Sequence, residues 1–159
     1  MKGSAKVIEV LNDVLAAEIL AIIQYESQHA YAEETLALKG LGEIFHEASL
    51  KEMDHMEDLT ERILFLEGTP ETKLKGKPVF TGEVRVLAVA DIELEYDAIK
   101  RLNDGIKLCV AEGDNGSRAL LEEILQDEEE HADRFEDVRD LIDSLGKHYL
   151  ATLVNEKSK

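Results

Sequence analysis

The sequence predicts an all-α protein: an antiparallel four-helix bundle with one long crossover and a short C-terminal fifth helix. Three observations predict it. Leu, Ala, Glu and Lys are abundant and the only prolines are Pro70 and Pro78, a composition that suits helices. Apolar residues recur at steps of three and four over four segments, each long enough to cross a bundle. The first and last links between these segments are short, whereas the middle one can run the length of a bundle. The 159 residues suggest one domain spanning 1–159, long enough to bury a substantial core.

The first helix is expected over residues 4–38, with Gly40 nearby as its stop; Leu11, Val14, Glu18, Ile22 and Tyr25 share one face. The second is expected over 41–67, ended by Gly68 and Pro70. Its apolar stripe runs Phe45, Ala48, Glu52, His55, Leu59, Ile63 and Leu66. Residues 69–82 hold both prolines, three threonines and two glycines, and read as the long connection. The third helix, over 83–111, lines up Ala88, Ile92, Glu95, Ile99, Leu102, Ile106 and Cys109. A turn cluster at 112–117 leads to the fourth helix, over 117–145 and ended by Gly146. Its stripe is Leu121, Ile124, Glu128, His131, Phe135, Val138, Ile142 and Leu145. The tail "KHYLATLVNE" suits two or three amphipathic turns, and Lys157, Ser158 and Lys159 are expected to fray.

Each of these core stripes carries an intruder. The second and fourth helices place a Glu-x-x-His pair in theirs, and the first and third each place one glutamate. A buried carboxylate is costly unless something pairs with it. Two divalent ions would remove the repulsion among four carboxylates: two bridging, two terminal, and one histidine per metal. That inventory is the donor set of dinuclear carboxylate bundles. One Glu-x-x-His in an acidic chain is weak evidence, but two on alternate helices, with lone buried glutamates on the others, seldom arise by chance. Glu129 and Glu130 fall off the stripe and read as solvated. His29, His46 and His148 read as surface or merely satisfied histidines. Tyr25, two turns after Glu18, either hydrogen-bonds a metal-bound carboxylate or supplies an electron, or is a core tyrosine whose hydroxyl found a partner. Met53 points away from the metal face, and spacing alone makes it a packing residue.

The formal net charge of -17 argues against nucleic-acid binding through a basic surface and allows a field that concentrates cations. Cys109 is the only cysteine, so no intrachain disulfide forms, in keeping with a reducing cytoplasm. No signal peptide is apparent at the start, and no stretch is apolar enough to span a membrane.

With these residues in view, the chain resembles the bacterioferritins. The resemblance rests on "LNDVLAAEILAIIQY", "KEMDHMEDLTERILFLEG" and "ILQDEEEHAD", and extends over nearly the whole chain. It implies a ferritin-like fold and two iron ions per subunit, with Glu18, Glu52, His55, Glu95, Glu128 and His131 as ligands. It also implies a hollow homo-oligomeric shell of 24 subunits built from two-fold dimers, with the tail helix lining symmetry axes. Haem b, or a related iron porphyrin, would sit at the dimer interface, with Met53 of each subunit as axial ligand. Residues 28–50 depart from the family pattern, with one extra residue before the second helix's motif. Lys51 stands where the resemblance implies an acidic residue facing the shell's interior, close to His46 and Glu47.

The expected function is iron storage and detoxification in the cytoplasm. A ferroxidase reaction would oxidise Fe²⁺ with dioxygen or hydrogen peroxide, and an electron-donor protein would serve release. Other di-metal enzymes share the donor set, among them rubrerythrin-like peroxide reductases and manganese catalases; the single cysteine argues against the usual rubrerythrin arrangement with a four-cysteine rubredoxin domain, though not against a truncated relative. A non-catalytic metal- or haem-binding shell, or a plain bundle with protonated glutamates, is the alternative from another class.

Overall fold

The structure, a computed structural model, describes residues 1–155. The expected fraying of Lys157, Ser158 and Lys159 lies outside the described residues. The elements are α1 (Ala5–Glu34), α2 (Lys39–Phe65), α3 (Val84–Glu112), α4 (Asn115–Leu145) and α5 (Lys147–Thr152). α1 lies along α2 and α3 along α4, as two hairpins, and α1–α3 and α2–α4 contacts join them into a four-helix bundle. The predicted fold class therefore holds.

The link between α1 and α2 differs from the expectation. α1 ends at Glu34, four residues before Leu38, and Ala37 takes a left-handed backbone (φ 55°). Gly40 does not stop a helix; it lies in the first turn of α2. There its N–H donates to the Leu153 carbonyl at 2.8 Å, and a Cβ would come within 2.8 Å of the Asn155 carbonyl oxygen. The tail thus folds back over this end of the bundle, with Leu153 in the core beside Leu38, Leu41 and Val138. α5 itself has six residues, shorter than the expected two or three turns. Leu145, expected in the core stripe, is exposed at the end of α4.

At the other end, α3 stops at Gly113 (φ 73°), and the Asp114 N–H reaches back to the Cys109 carbonyl at 2.9 Å. This closure satisfies the last carbonyls of the helix and favours a residue without Cβ. Asp114 then caps α4, accepting from the Ser117 N–H at 2.9 Å, and also accepts from Arg62 Nη2 at 2.6 Å, which ties the end of α2 to the start of α4.

The crossover, residues 66–83, runs alongside α1. Asn12 Nδ2 donates to the Thr69 carbonyl and Asn12 Oδ1 accepts from the Glu71 N–H. Further on, Lys75 pairs with Asp13, and the Val79 backbone exchanges bonds with Gln24 and Gln28. These contacts carry the chain from one end of α1 towards the other, so α3 runs antiparallel to α1.

The core is split in two. One cluster contains Tyr25, Leu41, Phe45, Leu87, Ile92, Phe135 and Val138. The other contains Leu11, Val14, Leu59, Ile63, Leu102, Leu121 and Ile124. On every long helix the residues between the two clusters are the ones singled out above: Glu18, Glu52 with His55, Glu95, and Glu128 with His131. A layer of carboxylates and imidazoles therefore crosses the middle of the bundle.

Candidate metal centre

Helical spacing puts the six side chains into this layer. Glu52 and His55, three residues apart on α2, share a face with Leu59; Glu128 and His131 do the same on α4. Glu18 on α1 and Glu95 on α3 complete the ring. The four glutamates and His55 are buried, and the side chain of His131 is 11 % exposed.

The side chains converge as two overlapping sets. Glu18, Glu52, His55 and Glu128 form one, and Glu52, Glu95, Glu128 and His131 form the other, with ligand atoms in each set within 4.8 Å of one another. Glu52 and Glu128 belong to both sets, so they are placed to bridge, and Glu18 and Glu95 to bind at the two ends. His55 Nδ1 lies 2.9 Å from Glu52 Oε2, 3.4 Å from Glu128 Oε1 and 3.5 Å from Glu18 Oε2. His131 Nδ1 lies 2.9 Å from Glu52 Oε1, 3.1 Å from Glu128 Oε2 and 3.7 Å from Glu95 Oε1. Each imidazole nitrogen faces three carboxylates, which is where a cation belongs.

Two buried oxygens, Glu52 Oε1 and Glu128 Oε1, have no hydrogen bond. Glu52 Oε1 is close to His131 Nδ1, but without hydrogen-bond geometry. Buried carboxylate oxygens without donors are costly, and these two belong to the residues that the two sets share. The donor set, four carboxylates and two imidazoles, suits divalent iron, manganese or zinc. The residues present fit a dinuclear centre.

The electrostatics of the layer follow from crowding. Burial, and then the charges of Glu128 and Glu52, push the carboxyls of Glu18 and Glu95 well above the usual range. Burial also acts to raise Glu52, but the close approach of His131, His55 and Glu18 outweighs it and holds this carboxyl below the usual range. Burial acts to lower both histidines, yet their carboxylate partners raise them: His55 strongly, through Glu128, Glu18 and Glu52, and His131 to about 9, through Glu128 and Glu52. Protons on the imidazoles here do the neutralising that metal ions would do.

Tyr25 joins the layer. Its hydroxyl donates to Glu95 Oε1, so it touches a carboxylate of the ring while its own ring packs 5.3 Å from that of Phe135. Burial and the charges of Glu95 and Asp91 raise its pKa. Met53 stands apart from the layer, 44 % exposed, one turn from the equally exposed Leu50 on the outside of α2. His29 and His46 are satisfied across α1 and α2: His29 Nδ1 donates to the Gly42 carbonyl at 3.0 Å, and His46 Nδ1 to Glu26 at 2.8 Å. His46 thus faces α1, whereas Glu47 and Lys51 face α4 through Arg134 and Asp127.

Sequence reasoning missed two residues. Asp127 accepts from His55 Nε2 at 3.0 Å and from Lys51 at 3.1 Å. A carboxylate on the far nitrogen of an imidazole fixes its tautomer and leaves the other nitrogen for a metal. Asp91, one turn before Glu95, is fully buried and accepts from Gln24 and Gln28 at 2.7 and 2.8 Å.

The family model described as "Ferritin-like domain" matches residues 8–145. A bacterioferritin of Streptomyces coelicolor is 39 % identical over 157 residues, covering 98 % of this chain and 93 % of its own. One of Rhodobacter capsulatus is 38 % identical over 154 residues, covering 96 % and 94 %. One of Mycobacterium leprae is 37 % identical over 147 residues, covering 92 % of each.

Proposed function

The chain belongs to the bacterioferritin family of ferritin-like proteins, and from that membership we propose that it stores iron and oxidises Fe²⁺ at the layer of four glutamates and two histidines. The observation that carries the reading is the overlap of the two ligand sets at Glu52 and Glu128, whose unpartnered buried oxygens call for cations between them. Two Fe²⁺ bind as substrate, one to each set. An oxidant takes one electron from each. With dioxygen, two Fe²⁺ and two protons give two Fe³⁺ and hydrogen peroxide; with hydrogen peroxide, two Fe²⁺ and two protons give two Fe³⁺ and two waters. Glu18 and Glu95 hold the ends of the pair, Glu52 and Glu128 bridge it, and the two imidazoles fix its geometry. Asp127 keeps His55 turned inward. Tyr25 orients Glu95 and stands within reach to give up an electron.

The product passes to a shell of 24 subunits built from dimers, in the cytoplasm. No helix among the described residues is long and apolar enough to cross a membrane. A haem belongs to the same proposal. The Met53 thioether is a soft ligand open on the surface of α2, with Leu50 beside it and Met56, Glu57 and Thr60 around a shallow recess. Met53 from two copies of the chain would hold the group between them. When bound, that haem supplies electron transfer for iron release.

The test is an anaerobic Fe²⁺ titration of metal-free protein, followed by air and read by absorbance, beside Glu128→Ala. Saturation near two Fe²⁺ per chain and rapid oxidation are expected. Loss of a bridging ligand should slow oxidation by more than the roughly 10–100-fold that losing an outer partner costs. A haem spectrum in the untreated sample reports on Met53. Oxidation at the protein-free rate in both proteins would discard the ferroxidase reading.

A further inference from the structure

A cavity of about 80 Å³ opens between α1 and α3 and ends on the glutamates of the layer. It has room for a few waters or a partly dehydrated ion. Small side chains, Ala17, Ala21 and Ala98, keep it open. Three charged residues stand in its lining as well: Lys75 from the crossover, and Asp97 and Arg101 from α3. Asp13 on α1 accepts from both Lys75 Nζ and Arg101 Nε, the latter at 3.0 Å. Next to Lys75 the crossover passes tightly over α1, since a Cβ on Gly76 would lie 3.0 Å from Leu20 Cδ2. The crossover is therefore strapped across this opening, with a lysine ammonium fixed beside it. On the α2–α4 side, by contrast, the approach to His55 is taken up by the bonded chain His55–Asp127–Lys51.

We infer that Fe²⁺ reaches the dinuclear centre through the α1–α3 cavity and that Lys75, held by Asp13, is the gate that limits its rate of arrival. The inference rests on the dinuclear reading above. The charges at the opening balance, with Asp13 and Asp97 against Lys75 and Arg101, while the carboxylates lie behind them. A divalent cation must pass two fixed positive charges before it meets the glutamates. Arg101 is rooted in a helix, but Lys75 rides on the crossover and is held by one partner. Removing its charge leaves the opening net negative and continuous with the acidic interior. Charge focused in a narrow cleft changes association rates by roughly 10–10³-fold, and salt erases the effect.

The test uses Co²⁺ as probe, mixed anaerobically with the metal-free full chain and followed by its ligand-field absorbance in a stopped flow. Variants are Lys75→Ala, Lys75→Glu and, for an equal charge change at the far start of α2, Lys39→Glu. Association is expected to rise from wild type to Lys75→Ala to Lys75→Glu, by about tenfold for the last at low ionic strength. The three should converge at high salt, with unchanged stoichiometry. Identical rates in all three, or an equal shift in Lys39→Glu, would overturn the gate. Acceleration in Lys51→Ala without any in the Lys75 variants would place the route on the α2–α4 side and overturn it as well. If wild type takes up no Co²⁺, the dinuclear centre itself fails, which is a different result from a centre that fills at a rate indifferent to Lys75.

Discussion

In the proposed centre Asp127 would act from outside the six candidate ligands. Its bond to His55 Nε2 leaves Nδ1 facing Glu18, Glu52 and Glu128. Asp127→Ala should leave the helix content of the metal-free chain unchanged and weaken Co²⁺ binding by roughly 10–100-fold. An anaerobic titration read by absorbance checks this, and an unaltered affinity would show that packing alone orients the imidazole. Asp91 makes a separate contribution, through the proton it carries. Burial raises its carboxyl to about 7, against the pull of its bonds from Gln24 and Gln28. The folded chain then holds this proton at pH values where the unfolded chain has released it. Stability therefore falls as pH rises from the ordinary aspartate value to about 7, by on the order of 4 kcal/mol in all. Asp91→Asn keeps an oxygen acceptor for the two glutamines and puts an amide where Oδ2 stands without a partner. It should be more stable than wild type at pH 8, with the advantage fading as pH falls to about 4. Urea unfolding of the metal-free proteins at both pH values measures it; a constant difference would mean that Asp91 stays ionised throughout.

At the scale of elements, the sequence is legible where side chains repeat and opaque where distant backbone meets. The stripes of α2 and α4 were readable because a glutamate and a histidine occupied core positions in each. The crossover was readable because prolines, glycines and threonines displace the helical pattern over 69–82. The end of α1 was not. Nothing local marks Ala37 for a left-handed backbone, and Gly40 resembles a helix stop although its real partner is the tail, more than a hundred residues away. Leu145 completes the spacing of α4, but the helix outruns the core there. Asp127 and Asp91 each sit one residue before a stripe position, Glu128 and Ile92, so the helical spacing leaves them out of the core stripes. Their partners come from α2 and α1, and no spacing along α3 or α4 reveals them. The strapping of the crossover onto α1 through Asn12, Asp13, Gln24 and Gln28 is hidden for the same reason.

For the molecule as a whole, the polar layer divides the core, and whatever neutralises that layer decides how firmly the halves are joined. In the metal-free chain, protons do it. His131 is raised to about 9, so its stabilising contribution is complete below the ordinary histidine value and disappears as pH climbs through 9. The raised carboxyls of Glu18 and Glu95 act in the same direction, since the folded state keeps protons that the unfolded state gives up above the usual glutamate range. The lowered carboxyl of Glu52 changes nothing in this window, because its contribution is lost only in acid. The metal-free bundle should therefore weaken steadily from pH 6 to pH 8. Divalent ions compete with those same protons, so they bind more tightly as pH rises. At 100 times the dissociation constant a bound ion adds about 2.7 kcal/mol, which for a chain of this length raises the unfolding midpoint by roughly 5–10 °C. The gain from anaerobic Co²⁺ should accordingly be larger at pH 8 than at pH 6 at one fixed metal concentration, and small at either pH in Glu128→Ala. Calorimetry at a single scan rate measures all four conditions. A gain that ignored pH, or one that survived in the variant, would mean that the ion binds elsewhere on this acidic surface and that the two halves of the core are joined by protons alone.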